Sequence, residues 1–255
     1  MILTVDIGNS NVVLAFFNGE EIVYNCRFTT RKDEKNSAQY EVEIKEFFAK
    51  NNLKNSDIEG VVLSSVVPEI TNIVKGALGF LGYRILVIGE SNVNLNINFQ
   101  INNPEQIGSD ILMNIIAGKK LFGENFIIVD MGTATTFDIA GKNGDFIGAV
   151  IAPGVRLSCK ALSDCCSKLP ECLIGLPEMA IAKNTRDAMN AGIYFGHIGV
   201  IREITNRIKA EYECDMKICL TGGMSYKFGQ NMDFIDVIDP DLTLRGLKLV
   251  WEMNR

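Results

Sequence analysis

Two short stretches of the 255-residue chain put a carboxylate where chemistry needs one. In "ILTVDIGNSNVV" an apolar run ends on Asp6, and Gly8 follows two residues later. In "IIVDMGTATTFD" the same pattern returns at Asp130 and Gly132. An aspartate that ends a buried strand is partly desolvated, which is costly unless the carboxylate is paired or holds a cation. The glycine lets the backbone turn tightly and bring N–H groups close to a ligand. The loops Asp6-Ile7-Gly8-Asn9-Ser10-Asn11 and Asp130-Met131-Gly132-Thr133-Ala134-Thr135-Thr136 thus offer donors suited to phosphate oxygens, and each aspartate suits a hydrated Mg²⁺. Either loop alone reads first as an ordinary hairpin turn; two in register point to a nucleoside triphosphate gripped from both sides.

A third carboxylate, Asp110, falls in the first turn of a helix after "NPEQIGS". It either complements the helix dipole and the free N–H groups there, or acts as a base that accepts a hydroxyl proton during phosphoryl transfer. The chain has no G-x-x-x-x-G-K-[ST], so a P-loop is excluded, and the first hairpin has neither G-x-G-x-x-G nor the helix a Rossmann site requires.

The elements that must position these residues read as one plan used twice. Strands are expected near 2–7, 11–17 and 21–28, with Asn18-Gly19 in a tight turn. "SAQYEVEIKEFFAKNN" has helical periodicity, "GVVLSS" is a buried strand, Pro68 opens a helix, and "YRILVIG" is again a strand. "GSDILMNIIAGKKLF" is a helix with apolar positions at Ile111, Leu112, Ile115 and Ile116. The second half has strands near 126–130, 134–140 and 145–151, a long helix from "NTRDAM", a strand "KICLTGG", and a last helix starting at Asp239-Pro240. In the long helix, Ala188, Gly192 and Gly196 form a four-spaced stripe with almost no side chain, so either an internal helix or a dimer partner is expected to pack closely against it. Two matched halves imply an α/β fold of two similar domains facing across a cleft, residues 1–118 and 119–255.

The bulk composition narrows the partners. A net charge of −6 argues against nucleic acid or an anionic membrane, so no nucleic acid and no membrane partner is expected. Residues 2–5 already read as strand, which argues against a secretory signal and for a cytoplasmic protein. Seven cysteines, an odd number, fit reduced thiols. Four of them lie in "CKALSDCCSKLPEC" (Cys159, Cys165, Cys166, Cys172), without the CxxC spacing of a zinc site and with one distant histidine, His197. They read as buried or inert thiols.

An ordered series of motifs runs nearly the whole length: "DIGNSN" at 6–11, "SSVVP" at 64–68, "NPEQIGSD" at 103–110, "DMGTATTFD" at 130–138, "APG" at 152–154, "KNT" at 183–185, "TGG" at 221–223 and "DPDLTLRGLKL" at 239–249. The series resembles the type III pantothenate kinases, in the superfamily of acetate kinase, hexokinase, actin and heat-shock chaperones. The resemblance implies duplicated ribonuclease-H-like (actin-like ATPase) domains in a cytoplasmic homodimer. It implies ATP-dependent phosphorylation of pantothenate to 4′-phosphopantothenate, the first step of coenzyme A biosynthesis, with Mg²⁺ and a monovalent cation such as K⁺ or NH₄⁺.

Carried over by position, Asp6, Ile7, Gly8, Asn9, Ser10, Asn11, Val12 and Val13 would form the first ATP loop, with Asp6 holding Mg²⁺ through water. Gly132, Thr133, Gly222 and Gly223 would also contact ATP, and Asp130 would ligate the monovalent cation. Asp110 would be the catalytic base, and Ile101, Gly108, Ser109, Asp110, Ile111 and Thr185 would border the substrate.

Two positions depart from the family pattern. Where the family reads Y-x-N-P and G-A-D-R, this chain has Ile101-Asn102-Asn103-Pro104 and Gly108-Ser109-Asp110-Ile111. The tyrosine and arginine contact pantothenate in the family. A hydrogen bond to a charged group contributes roughly 1.5–3 kcal/mol, so losing the arginine would weaken a carboxylate-bearing substrate by roughly ten- to a hundredfold. The alternatives are a homologue with a less anionic alcohol as acceptor, or a non-catalytic nucleotide- or metabolite-binding regulator.

Overall fold

Asp6 and Asp130 sit at matching places in two sheets of the same topology. A computed structural model describes residues 1–31 and 37–255. The first sheet holds β1 (Ile2–Ile7), β2 (Asn11–Asn18), β3 (Glu21–Thr29), β4 (Gly60–Ser65) and β5 (Ile85–Val87), in the order β3-β2-β1-β4-β5. The second holds β6 (Phe126–Met131), β7 (Ala134–Ala140), β8 (Phe146–Pro153), β9 (Lys217–Thr221) and β10 (Val237–Ile238), in the order β10-β9-β6-β7-β8. In each, the first three strands run as an antiparallel meander, the fourth pairs in parallel with the first, and the fifth pairs in parallel with the fourth.

The helices are α1 (Ser37–Lys50), α2 (Pro68–Ala77), α3 (Ser109–Phe122), α4 (Val155–Cys165), α5 (Thr185–Glu211), α6 (Ser225–Gly229) and α7 (Leu242–Asn254). Each sheet has its own core. β1, β2 and β4 bury Leu3, Val5, Ile7, Leu14, Val61 and Leu63 against Tyr40, Ile44 and Phe48 of α1 and Ile70 and Val74 of α2. In the second sheet, Val129, Phe137, Ile218 and Leu220 bury against Val155 of α4, Tyr194 and Ile201 of α5, and Phe228 of α6. His197 belongs to this core: its ring nitrogens lie 3.0 Å from the Ile193 carbonyl and 3.2 Å from that of Pro153.

The chain divides into two compact units that are not two simple halves. The first comprises Met1–Asn96, Glu105–Ala117 and Thr243–Arg255; the second comprises Ile97–Pro104 and Gly118–Leu242. A single cut after residue 118 would leave the last helix with the second unit. The contacts of α7 explain why it joins the first. Lys248, almost wholly buried, reaches Glu20 in the β2–β3 turn at 2.6 Å, and Arg245 donates to the Glu20 carbonyl at 3.1 Å. Thr243 donates to Asn114 of α3 at 2.8 Å. The short insert 97–104 joins the second unit because Phe99 bridges to Phe146, and Asn98 and Gln100 donate to Asp145 at 3.2 and 3.4 Å.

Most elements lie where the sequence places them, with a few differences. The helices α4 and α6 and the two-residue β10 are additional. The last helix begins at Leu242 rather than at Pro240, because Asp239 first closes a turn, accepting from the Asp241 N–H at 3.0 Å. The small-residue stripe of α5 has no internal partner: among the described residues nothing lies within 4 Å of where a Cβ would stand at Gly192 or Gly196.

Close backbone contact instead occurs at Gly246 of α7, where an added Cβ would stand 2.1 Å from the Met113 carbonyl oxygen of α3. Overpacking costs about 1–3 kcal/mol, and more when the obstacle is backbone. That exceeds the roughly 1 kcal/mol by which alanine is favoured over glycine in a helix. Gly246→Ala is therefore expected to lower the thermal midpoint, while Gly76→Ala on the exposed face of α2, where a Cβ meets nothing, is expected to raise it. Calorimetry of the two variants checks both signs.

Candidate active site

In the first unit, β1 delivers Asp6 to the carboxyl end of its sheet, opposite Val13 on β2 and Ser64 on β4. The following loop is a tight turn: the Gly8 N–H donates to the Asn11 carbonyl at 2.9 Å, and the Thr30 hydroxyl at the end of β3 donates to the Gly8 carbonyl at 2.6 Å. The Gly8 N–H is thus engaged within the turn, and Asn9 and Ser10 are the exposed residues of the loop.

Ser64, at 0% exposure, is the residue the motif reading passed over. Its hydroxyl lies 3.1 Å from Asp6 Oδ1 and 3.0 Å from the hydroxyl of Ser109, the first residue of α3. Ser109 in turn accepts from the Ser65 N–H at 3.1 Å and reaches the Ser65 carbonyl at 3.0 Å. The Ser65 hydroxyl accepts from the Val67 N–H at 3.1 Å and from Thr71 at 2.8 Å, which organises the start of α2. The "SSVVP" motif therefore ties the Asp6 loop, α2 and the start of α3 together. The available sequence signal was two serines closing an otherwise apolar strand.

Asp110 follows Ser109 directly and so inherits this fixed position. Its carboxylate accepts the Ile111 N–H at 2.8 Å. Burial pushes its pKa above the usual carboxylate value of 3.8, opposed by the N–H groups of Ile111 and of Asp110 itself. Gly108 makes this rotamer possible, since a Cβ there would stand 2.4 Å from Asp110 Oδ1. A carboxylate destabilised in its charged form and held at a helix start has the properties of a general base. Ile111 is half-buried beside it on α3.

In the second unit, Asp130 occupies the equivalent place on β6, opposite Thr136 on β7 and Thr221 on β9. Gly132 and Thr133 follow and are exposed. Gly222 has φ +87°, and a Cβ on it would stand 2.3 Å from Asp130 Oδ1, so the second glycine-containing turn closes directly over the carboxylate. Gly154 supports the same loop from behind, where a Cβ would stand 2.2 Å from the Thr133 carbonyl. The hydroxyl of Thr221 is fully buried and has no hydrogen-bond partner among the described residues. A buried hydroxyl oxygen beside a carboxylate on the same face is a donor set that fits a cation.

Ile101 and Thr185 also lie in the second unit. Ile101 is half-buried in the insert 97–104, and Thr185 is exposed at the first turn of α5. Asn184 caps that helix by accepting the Asp187 N–H at 3.0 Å. Beside it opens a cavity of about 430 Å³ lined by Leu176, Met179, Ile181, Lys183, Asn184 and Asp187.

The raised pKa of Asp110 has a consequence for stability. A carboxyl with a raised folded-state pKa stabilises the fold most below its unfolded pKa and loses that contribution as pH rises through the folded value. Asp110→Asn keeps an acceptor for the Ile111 N–H and removes the buried charge. The variant is expected to match or exceed the parent in thermal stability at pH 7, with the difference vanishing towards pH 3–4. Thermal melts across that range check the sign.

The family model for type III pantothenate kinase matches residues 2–207. A type III pantothenate kinase from Geobacter sulfurreducens is 38% identical over 256 residues, covering 100% of both chains. Among solved structures, a protein from Campylobacter jejuni assigned to a Baf family of transcriptional activators superposes with a TM-score of 0.61 at 19% identity, covering 99% of this chain and 98% of that one. MreB 5 of Spiroplasma citri bound to AMPPNP superposes at 0.57 with 11% identity, over 99% and 96%. At such low identity these two likenesses show the fold alone, the duplicated ribonuclease-H-like fold of actin-like ATPases and sugar kinases. Taken with the full-length sequence match, the chain belongs to the type III pantothenate kinase family.

Proposed function

We propose that this chain phosphorylates pantothenate with ATP to give 4′-phosphopantothenate, with Asp110 as the base. The observation that carries the reading is the state of Asp110: partly desolvated, with its pKa raised, and anchored through Ser109 and Ser64 to the Asp6 loop. The carboxylate takes the proton of the acceptor hydroxyl as that oxygen bonds to the γ-phosphorus and the bond to the β-phosphate bridging oxygen breaks, releasing ADP. Asp6 to Val13, Gly132, Thr133, Gly222 and Gly223 are proposed to bind ATP, Asp6 to hold the waters of Mg²⁺, and Thr185 to contact substrate. Bound Mg²⁺ supplies charge neutralisation on the phosphates. Asp130 is proposed to ligate a monovalent cation, K⁺ or NH₄⁺, with the buried Thr221 hydroxyl as a second oxygen; the partnerless hydroxyl supports this reading.

A homodimer is proposed on the exposed apolar surface of the second unit. Ile181 is 83% exposed and Ile151 68%, and the unfilled α5 stripe at Gly192 and Gly196 adds a face that a second copy could approach closely. A cytoplasmic location is proposed with it. Among the described residues no helix is long and apolar enough to cross a membrane.

A second reading, a less anionic alcohol as acceptor, is favoured by Ile101 and Ile111 standing at the family's tyrosine and arginine positions. Steady-state assays separate the two. Asp110→Asn is expected to reduce kcat by about 10²- to 10⁴-fold while ATP binding persists; retained turnover would remove Asp110 from the mechanism. Activity is expected to fall as pH drops through the raised pKa of Asp110, so the acid limb of kcat/KM should lie above pH 3.8 in the parent. Ile111→Arg, with and without Ile101→Tyr, is expected to tighten pantothenate by roughly ten- to a hundredfold. If neither variant changes its KM and neutral alcohols turn over faster, the second reading stands.

A further inference from the structure

The cysteine-rich segment is not consumed by the kinase reading, and the fold sorts its four thiols into two kinds. Cys159, on the inner face of α4, is 6% exposed and packs in the core of the second unit. Cys165 and Cys166 are exposed at the C-terminal end of the helix. The chain then reverses: the Leu169 N–H donates to the Cys166 carbonyl at 2.9 Å, and the Ser163 hydroxyl donates to the Pro170 carbonyl at 3.1 Å. This return lays Cys172, half-buried, back on the core cluster that holds Cys159, with the Ser163 hydroxyl reaching the carbonyls of both Cys159 and Pro170.

We propose that Cys159 and Cys172 are a redox-modification site, a dithiol that closes to an intramolecular disulfide when the protein meets a peroxide. The Ser163 hydroxyl joins the Cys159 and Pro170 carbonyls, Cys172 packs on the cluster that holds Cys159, and the segment that carries Cys172 is irregular, so a modest backbone movement brings the two sulfurs to bonding distance. The order of events follows from access. Burial, and then the neighbouring Cys172 thiol, push the Cys159 pKa up to about 12, so Cys159 meets bulk oxidant poorly and as a neutral thiol. Cys172, the more accessible of the two, reacts first.

Its thiolate attacks a peroxide oxygen, the S–O bond forms, the O–O bond breaks, and water leaves with the thiol proton. The Cys159 sulfur then attacks the Cys172 sulfur, the S–S bond forms, the S–O bond breaks, and a second water carries off the Cys159 proton. Two thiols lose two electrons and one hydrogen peroxide becomes two waters. The bond fastens to α4 the segment that continues to Gly175, whose N–H is held by Asn190 of α5 at 2.9 Å, and then to the cavity wall at Leu176 and Met179. Oxidation would thus stiffen the approach to that cavity without touching the Asp6, Asp110 or Asp130 positions. The proposal does not rest on the identity of the kinase substrate.

The test uses the full chain treated with hydrogen peroxide, quenched by alkylation, digested without reduction and mapped by mass spectrometry. The expected result is that Cys159 and Cys172 leave the alkylatable pool together, as one cross-linked peptide pair, and return after dithiothreitol. Cys165→Ser/Cys166→Ser should give the same cross-link, and Cys172→Ser should abolish it. Oxidation of Cys172 to the sulfinic acid with Cys159 still reduced would overturn the proposal. So would disulfides confined to Cys165 and Cys166, or between chains. The parent chain alone decides between these outcomes, so a variant that folds poorly does not blunt the test.

Discussion

A single buried hydroxyl fixes where the proposed base of the first unit sits. Ser64 sits at the end of a strand with no access to water, between the carboxylate of Asp6 and the hydroxyl of Ser109. A buried polar group is costly unless satisfied, and here satisfying it requires β1, β4 and the start of α3 to be placed together. Asp110 is the next residue along, so the position of the proposed base is set by a hydrogen bond made by its neighbour. Gly108 on the other side leaves its carboxylate room for one rotamer. Sites held on rigid elements in this way are already oriented before a substrate arrives.

The duplication reaches below topology to individual side chains. Asp6 faces Ser64 across a parallel pairing, and Asp130 faces Thr221 across the equivalent pairing. Each half has one carboxylate and one buried hydroxyl at the same pair of sites. The two have been put to different use. In the first, the hydroxyl is tied to Asp6 and passes the connection on to Ser109. In the second, it ends beside Asp130 without a hydrogen-bond partner among the described residues. An arrangement that positions a helix in one unit is left in the other with an oxygen to offer.

Much of this was legible in the sequence, because short-range patterns produce it. The apolar run ending in D-x-G, the Asn-Gly turns and the alternation of the hairpin strands are all local, and they locate Asp6, Asp130 and the two meanders. Ser64 and Thr221 were not legible as partners. Parallel pairing joins residues more than fifty positions apart, and no local rule states the register of β4 on β1 or of β9 on β6. Nor does a local rule show that a Cβ at Gly108 would crowd the Asp110 carboxylate. The small stripe on α5 shows the reverse limit: spacing reveals that a close approach is possible, but only its exposure shows that none of the described residues makes it. The helix α4 is legible only when its cysteines are counted as apolar positions, Val155, Cys159 and Leu162 then marking one face.

The order in which the chain is made adds a last consequence to the way the units divide. The first unit needs Thr243–Arg255, including the buried Lys248 and the Gly246 contact with α3. Those residues leave the ribosome after every residue of the second unit. During synthesis the second unit, almost continuous from Gly118 to Leu242, has all its residues before the first unit has its own. The older half of the nascent chain must therefore wait, with the α3 backbone at Met113 uncovered, for the youngest helix to arrive.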